Sequence, residues 1–473
     1  MLCLLAVQCK QAQPQPSQAE PAIRVEINAT EANYVRFTVN TIDVETVEYG
    51  VAGEQQDAIS IARREQTSST GPDKLELEWN GLEQNSSYLL CVRGIGPSSE
   101  TGRWTIIPFS TASYGLPSFA DMTLVTMGWH NYSPPVWTPE RFASHVSYVG
   151  DDGKERWLFD SFLCIDGWDP VRNLSFSITP DRKSATQDSW LYLLDAWLGP
   201  DGALVKLEKA IADAESRIGP PPSHRYVIMA VPDPIMFQTF GDKSSSTRYW
   251  GTIDGHQTDF SQVEDQIAAY KWYIDQCRSR FSRLSVPHLK LAGFYILSEE
   301  LHLGEDYYKQ YGLSYSSSDI WNSQYKRWET IIPAASAYIH DADQGLWWIP
   351  YYLAPGHRLW DRLGIDMTFM QPNHYWDTDA NEHPLSKSIQ AMQQYGMGIE
   401  LEFEYTILGN ENYRKKLREY LSAYKASGLY GKKPIAVYSG TDAMHQLASS
   451  TDASDKEMYR EICNFITQSP LKK

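Results

Sequence analysis

The sequence predicts an α/β fold, a (β/α)8 barrel of the TIM type, preceded by a small all-β sandwich. Two observations carry this. Residues 22–112 alternate apolar and polar positions between Asn/Gly/Pro/Ser clusters, the pattern of short antiparallel strands. From Tyr114 onward, β-branched and aromatic strand candidates alternate with long amphipathic segments, which argues for βα units around a parallel sheet. A chain of 473 residues has room for one large barrel and a small partner. The predicted layout is a tether over 1–21, a sandwich over 22–113 and a barrel over 114–473.

The first segment, MLCLLAVQC, is a short apolar run ending in Cys9 and followed by the polar stretch KQAQPQPSQAEP. It resembles the end of a bacterial lipoprotein signal with Cys9 as the lipid-bearing residue. It lacks a basic leader, and Gln8 is larger than the residue expected before that cysteine, so a frayed terminus is the alternative. The lipoprotein reading implies an extracytoplasmic protein that is secreted, periplasmic or held at the surface, with Cys9 as its one link to a membrane. Cys3, Cys91, Cys164, Cys277 and Cys463 are scattered without metal-knuckle spacing. No calcium-loop pattern occurs, the Asp151-Asp152 stretch included. No metal and no cofactor is expected.

In the sandwich segment, AIRVEINAT, YVRFTVNT, DVETVEYGVA, KLELEWNGL, SSYLLCVRGIG and RWTIIPFSTA read as strands at intervals typical of a sandwich. The run from Gly81 to Arg93 resembles the fibronectin type III pattern, in which a leucine and a tyrosine bracket a turn. That resemblance implies a spacer or interaction module, and no catalytic constellation lies in it.

The barrel strands are read at 121–130, 157–166, 225–233, 289–300, 345–355, 366–376, 396–405 and 433–442, eight in all. Helices are predicted near 186–218, 260–283, 316–340, 384–395, 411–426 and 454–467, with Asp259 as the N-cap of the second. A doubly wound sheet would normally show a Gly-rich phosphate loop after an early strand, and none is present. The polar insertion over 241–256 is expected to form one wall of a cleft.

Active sites of such barrels lie at the C-terminal strand ends, and here those ends collect carboxylates and aromatics. Glu299 ends strand four, and Glu400, Glu402 and Glu404 share one face of strand seven by period two. Two carboxyl groups on opposed strands suit retaining glycoside cleavage, one protonating the leaving oxygen and one attacking the anomeric carbon. Strand four and strand seven glutamates resemble the large superfamily of retaining barrel glycosidases, although Ser298 stands where that group has Asn. Glu299 is read as acid/base and Glu402 as nucleophile, with Glu404 in reserve. Ion-paired or solvated glutamates at strand ends are the bland alternative. Trp129, His130, Asp166, Trp168, Asp233, Glu300, Tyr352, Gln371, Asn373, His374, Trp376 and Glu404 are the candidate sugar-binding residues. His374 is placed to hydrogen-bond the strand-seven nucleophile. Trp348 joins the aromatics offered as ring-stacking surfaces.

The segments LVTMGWHNY, WLFDSFLCI, LAGFYILSEE, FMQPNHYW, GIELEFE and AVYSGTDAMHQLASSTDASDKEMYREICNFI are together similar to the bacterial domain of unknown function 4855, over about 115–470 and in the same order. That family occurs mainly in gut-type Bacteroidetes and in Gram-positive carbohydrate degraders. The resemblance implies a barrel in a carbohydrate-active setting and assigns no substrate.

The formal charge of −17 disfavours nucleic acid and anionic membranes as partners, since both reward Lys/Arg patches. A content of 16 Trp and 29 Tyr points instead to sugar rings. The expected function is a monomeric glycoside hydrolase acting on a poly- or oligosaccharide. The alternative is a surface protein that binds glycans without turnover.

Overall fold

The computed structural model describes residues 21–30, 34–53, 65–68, 74–80, 82, 86–111, 116, 118–127, 137–314, 327–379, 382–440 and 442–472. Cys9, Trp129, His130 and the start of the helix predicted from 316 lie outside the described residues. The chain divides into two compact units, Met1–Ser113 and Tyr114–Lys473.

The first unit is all-β. Strands β1 (Ala22–Thr30), β2 (Tyr34–Ile42) and β5 (Lys74–Asn80) form one antiparallel sheet. Strands β4 (Glu65–Ser68), β3 (Thr46–Gly53), β6 (Ser87–Ile95) and β7 (Thr105–Ser110) form the other, in that order. Alternation puts Val35, Phe37 and Val39 of β2 against Val47 and Tyr49 of β3 and Leu90 and Val92 of β6 in one core.

The second unit contains the expected barrel. Its strands are β8 (Asp121–Val125), β9 (Ser161–Cys164), β10 (Arg225–Val231), β11 (Leu289–Ile296), β12 (Gly345–Trp348), β13 (Met367–Met370), β14 (Gly398–Glu402) and β15 (Ile435–Tyr438). They pair in parallel in chain order and close when β15 pairs with β8. Strands enclosed by helices are buried on both faces, which is why they read as nearly continuous apolar runs. Met122, Phe162, Ile228, Phe294, Phe369 and Ile399 are fully buried. Gly293 on β11 has φ 152°, and a Cβ there would meet the Gly345 carbonyl of β12 at 2.0 Å, so the close approach requires glycine. At the opposite barrel end from the strand termini, Lys472 pairs with Asp121 and with Asp160 at 2.8 Å, and Arg225 pairs with Asp160 at 2.9 Å.

Three local expectations are corrected. The helix predicted over 186–218 is two, α1 (Gln187–Leu198) and α2 (Ala203–Ile218). Gly199 and Pro200 lie between them, and Pro lacks the N–H that would continue a helix. Asp259 does not cap the next helix, α3 (Val263–Phe281); it accepts from Ser261 N at 2.9 Å in the turn before it. The 241–256 insertion contributes no residue to the cavities described below. It is pinned to the core by Trp250, which is buried against Trp190 at 5.0 Å and Trp272 at 5.4 Å. Among the described residues no helix is long and apolar enough to cross a membrane.

Candidate active site

Two adjoining cavities open at the C-terminal strand ends. One, of about 450 Å³, is lined by Thr126, Tyr295, Glu299, Tyr351, Gln371, Asn373, Trp376, Glu400, Glu404 and Tyr438, with Leu124, Ile165 and Ile349. The other, of about 440 Å³, shares Glu299 and Tyr351 and adds Trp168, Ser175, Ser177, Thr179, Asp181, Arg182, Ser298 and Glu300 among its walls. Glu299 therefore stands where the two meet. The Trp348 indole donates to the Ser298 carbonyl at 2.7 Å, and Tyr351 N donates to the Glu299 carbonyl at 3.1 Å. The ends of β11 and β12 are fixed to each other by these bonds.

Burial pushes the Glu299 carboxyl up to about 7, and the charge of Glu300 adds to the shift. Such a group holds its proton near neutrality and can donate it. Beyond it, β14 and the turn that follows carry three more acids. Glu402 is fully buried; its Oε2 accepts from Asn373 N at 2.7 Å and from the Tyr420 hydroxyl at 2.7 Å. Burial pushes its carboxyl up to about 8, so it too holds a proton near neutrality; the Tyr420 and Asn373 donors oppose that shift, Glu299 raises it further and Gln371 opposes it. Its Oε1 is buried with no hydrogen-bond partner. Glu400 is also buried and held well above the ordinary carboxyl range, by burial first and then by the charges of Glu402 and Glu299. Glu404 is half-buried and raised by burial, against hydrogen bonds from Thr406 and Trp376. Three acids packed around one site cannot all ionise, so donors decide which of them carries the charge. Glu402 has two, Asn373 N and Tyr420, the latter from the helix Glu411–Ser427 that follows β14, while Thr406 donates to Glu404 at 3.3 Å.

A family model described as a domain of unknown function, DUF4855, matches residues 121–464. The chain belongs to the DUF4855 family. A search of curated proteins finds no match. Among solved structures, the chain is similar to a "myokine" structure at 18% identity, over 20% of this chain and 99% of that one, with a TM-score of 0.17. It is also similar to the FN1–FN3 domains of chicken CNTN1 at 16% identity, over 20% of this chain and 31% of that one, with a TM-score of 0.17. A third is the fn3 domain of human contactin 1, at 17% identity over 22% and 87%, with a TM-score of 0.16.

The DUF4855 barrel brings Glu299, Gln371, Asn373, Trp376 and Glu404 together around one cavity, and Trp168 and Glu300 around the other. Several expected ligands lie elsewhere. Asp166 accepts from Met127 N at 2.8 Å, from Thr126 at 3.2 Å and from the Trp197 indole at 2.8 Å, which leaves it tying β8 and β9 to α1. Asp233 is buried and lines only a minor void beside Gln266 and Arg327. His374 turns away from β14 and pairs with Glu419 at 2.9 Å; the neighbouring Asn373 backbone reaches Glu402 in its place. Tyr352 lines neither cavity and packs on His383 at 4.8 Å, while Tyr351 lines both. Glu402 lies behind the lining that Glu400 and Glu404 provide.

The aromatic surplus is mostly core. Trp79, Trp137, Trp190, Trp197, Trp250, Trp328, Trp347 and Trp348 are buried, and among the described tryptophans Trp168 and Trp376 are the ones that line the two large cavities. Trp168 carries the Arg182 guanidinium 3.7 Å from its ring centroid, so one face is already covered. Tyr295, Tyr351, Tyr438 and Tyr420 had no signal beyond their place near strand ends or on a helix. Asp377, Glu382 and His383 bring ligand-type atoms within 4.8 Å of one another. His383 Nδ1 lies 2.6 Å from Asp377 Oδ1, and the Lys416 ammonium bonds the Asp377 carbonyl.

Proposed function

We propose that the DUF4855 barrel is a glycoside hydrolase acting on a poly- or oligosaccharide by the retaining route. The observation that carries this is Glu299: a carboxyl that keeps its proton near neutrality, at the junction of two cavities, close enough to Glu400 and Glu402 for its charge to raise their proton affinity. In this reading Glu299 gives its proton to the glycosidic oxygen as Glu402 bonds the anomeric carbon and the C–O bond breaks. Water then adds to that carbon, its proton returns to Glu299, and Glu402 is released. Asn373 N and Tyr420 ease formation of the carboxylate that attack needs, against the burial that pushes Glu402 up to about 8, and its buried Oε1 has no other partner. Tyr295, Trp376 and Tyr438 supply apolar faces to a ring, and the leaving-group sugar sits with Trp168 and Glu300.

The full burial of Glu402 favours a second reading, a barrel that binds glycans without cleaving them. Screening plant and host glycans for cleavage and for binding separates the two. Loss of turnover in both Glu299→Gln and Glu402→Gln is the expected result; wild-type rates in both overturn the assignment. Binding without cleavage by the wild type selects the second reading.

The sheet orders of the first unit fit a fibronectin type III module serving as a spacer. An extracytoplasmic location, anchored through Cys9 or secreted, fits a glycan substrate. Radiolabelled palmitate incorporation, lost in Cys9→Ser, tests the anchor.

A further inference from the structure

We infer that Asp377 and His383 form a relay that fixes the hydroxyl of Tyr351, making that oxygen a hydrogen-bond acceptor for a sugar hydroxyl where the two cavities meet; the sugar-contact part rests on the function proposed above. The argument starts at the buried end. The Asp377 side chain is 3% exposed and its carboxylate receives His383 N at 3.0 Å and His383 Nδ1 at 2.6 Å. A carboxylate accepts only, so Nδ1 carries the proton and, in the neutral ring, Nε2 is left with a lone pair. Nε2 lies 3.3 Å from the Tyr351 hydroxyl, which therefore donates to it. With its one proton directed at His383, the phenol oxygen has acceptor capacity left for the cavity, and Tyr351 lines both cavities. Its backbone is tied to Glu299 by the 3.1 Å bond, so the acceptor is held in register with the proton donor.

Histidine ¹⁵N NMR on the full chain tests the relay without any glycan, His383→Gln assigning the signal. The expected result is a neutral His383 with Nδ1 protonated, whose Nε2 resonance moves in Tyr351→Phe while the other histidines stay put. An Nε2-protonated ring overturns the inference, as does a resonance indifferent to Tyr351→Phe. Stoichiometric zinc binding that shifts His383 also overturns it, making the cluster a cation site. On a glycan that the wild type binds, Tyr351→Phe is expected to weaken affinity about tenfold. Unchanged affinity overturns the sugar-contact role. If the wild type neither binds nor cleaves any glycan, the hydrolase reading and the sugar contact fall together, and the NMR result alone decides the relay.

Discussion

The backbone N–H of Asn373 points at Oε2 of Glu402 from 2.7 Å, so the end of the sixth barrel strand determines how the acid on the seventh is solvated. Asn373 has φ 59°, a left-handed conformation that asparagine tolerates better than most residues. A chain turn on one strand is thus tied to the charge state of a side chain on the next.

Substituting that asparagine separates the two contributions. Asn373→Gly is expected to keep the turn and the bond to Glu402. Asn373→Val, which resists positive φ, is expected to cost about 1–2 kcal/mol of stability. Denaturant unfolding of the two variants checks this, and equal stabilities contradict it.

Glu299 should govern the alkaline side of the reaction. The working acid is the protonated form, present below its value of about 7 and lost as pH rises through it. Turnover on a cleaved glycan is therefore expected to fall above neutrality. Glu299→Gln should lower kcat by about 10²–10⁴ and remove that limb from the profile.

Glu400 makes stability pH-dependent in a definite direction. Its folded value lies well above the 4.5 of an ordinary glutamate, so its contribution is full below about 4.5 and is lost as pH rises from there toward the folded value. Between about pH 5 and pH 8 the wild-type melting temperature should fall more steeply than that of Glu400→Gln. Parallel melting curves contradict the assignment.

Asp166 should matter to folding and not to glycan binding. Asp166→Ala strands the donors Met127 N, Thr126 and the Trp197 indole, for a loss of about 3 kcal/mol or more. Chemical denaturation measures the loss. Any glycan bound by the wild type should bind the folded variant with the same affinity.

The sequence by itself determined the eight barrel strands, their order and the end at which polar groups collect. It could do so because a strand buried on both faces must be a contiguous apolar run, and because strand ends are where backbone pairing stops and side chains meet solvent. Glu299 and the Gln371-Pro372-Asn373 turn were legible on those grounds. The break at Gly199-Pro200 was also written in the chain, as a missing N–H, though amphipathic periodicity on both sides masked it. Only the tertiary structure decided which polar groups are ligands and which are struts. Asp166 and His374 sit at strand ends like Gln371, yet they find partners in Trp197 and Glu419, which lie 31 and 45 residues away. The tryptophans divide the same way. A local pattern places an indole near a strand end, but whether it meets a sugar or the underside of a helix depends on what packs above it. Period two put Glu400, Glu402 and Glu404 on one face, and only packing decided their surroundings: Tyr420 and Asn373 donate to a buried Glu402, Thr406 donates to a half-buried Glu404, and burial holds all three above the ordinary carboxyl range.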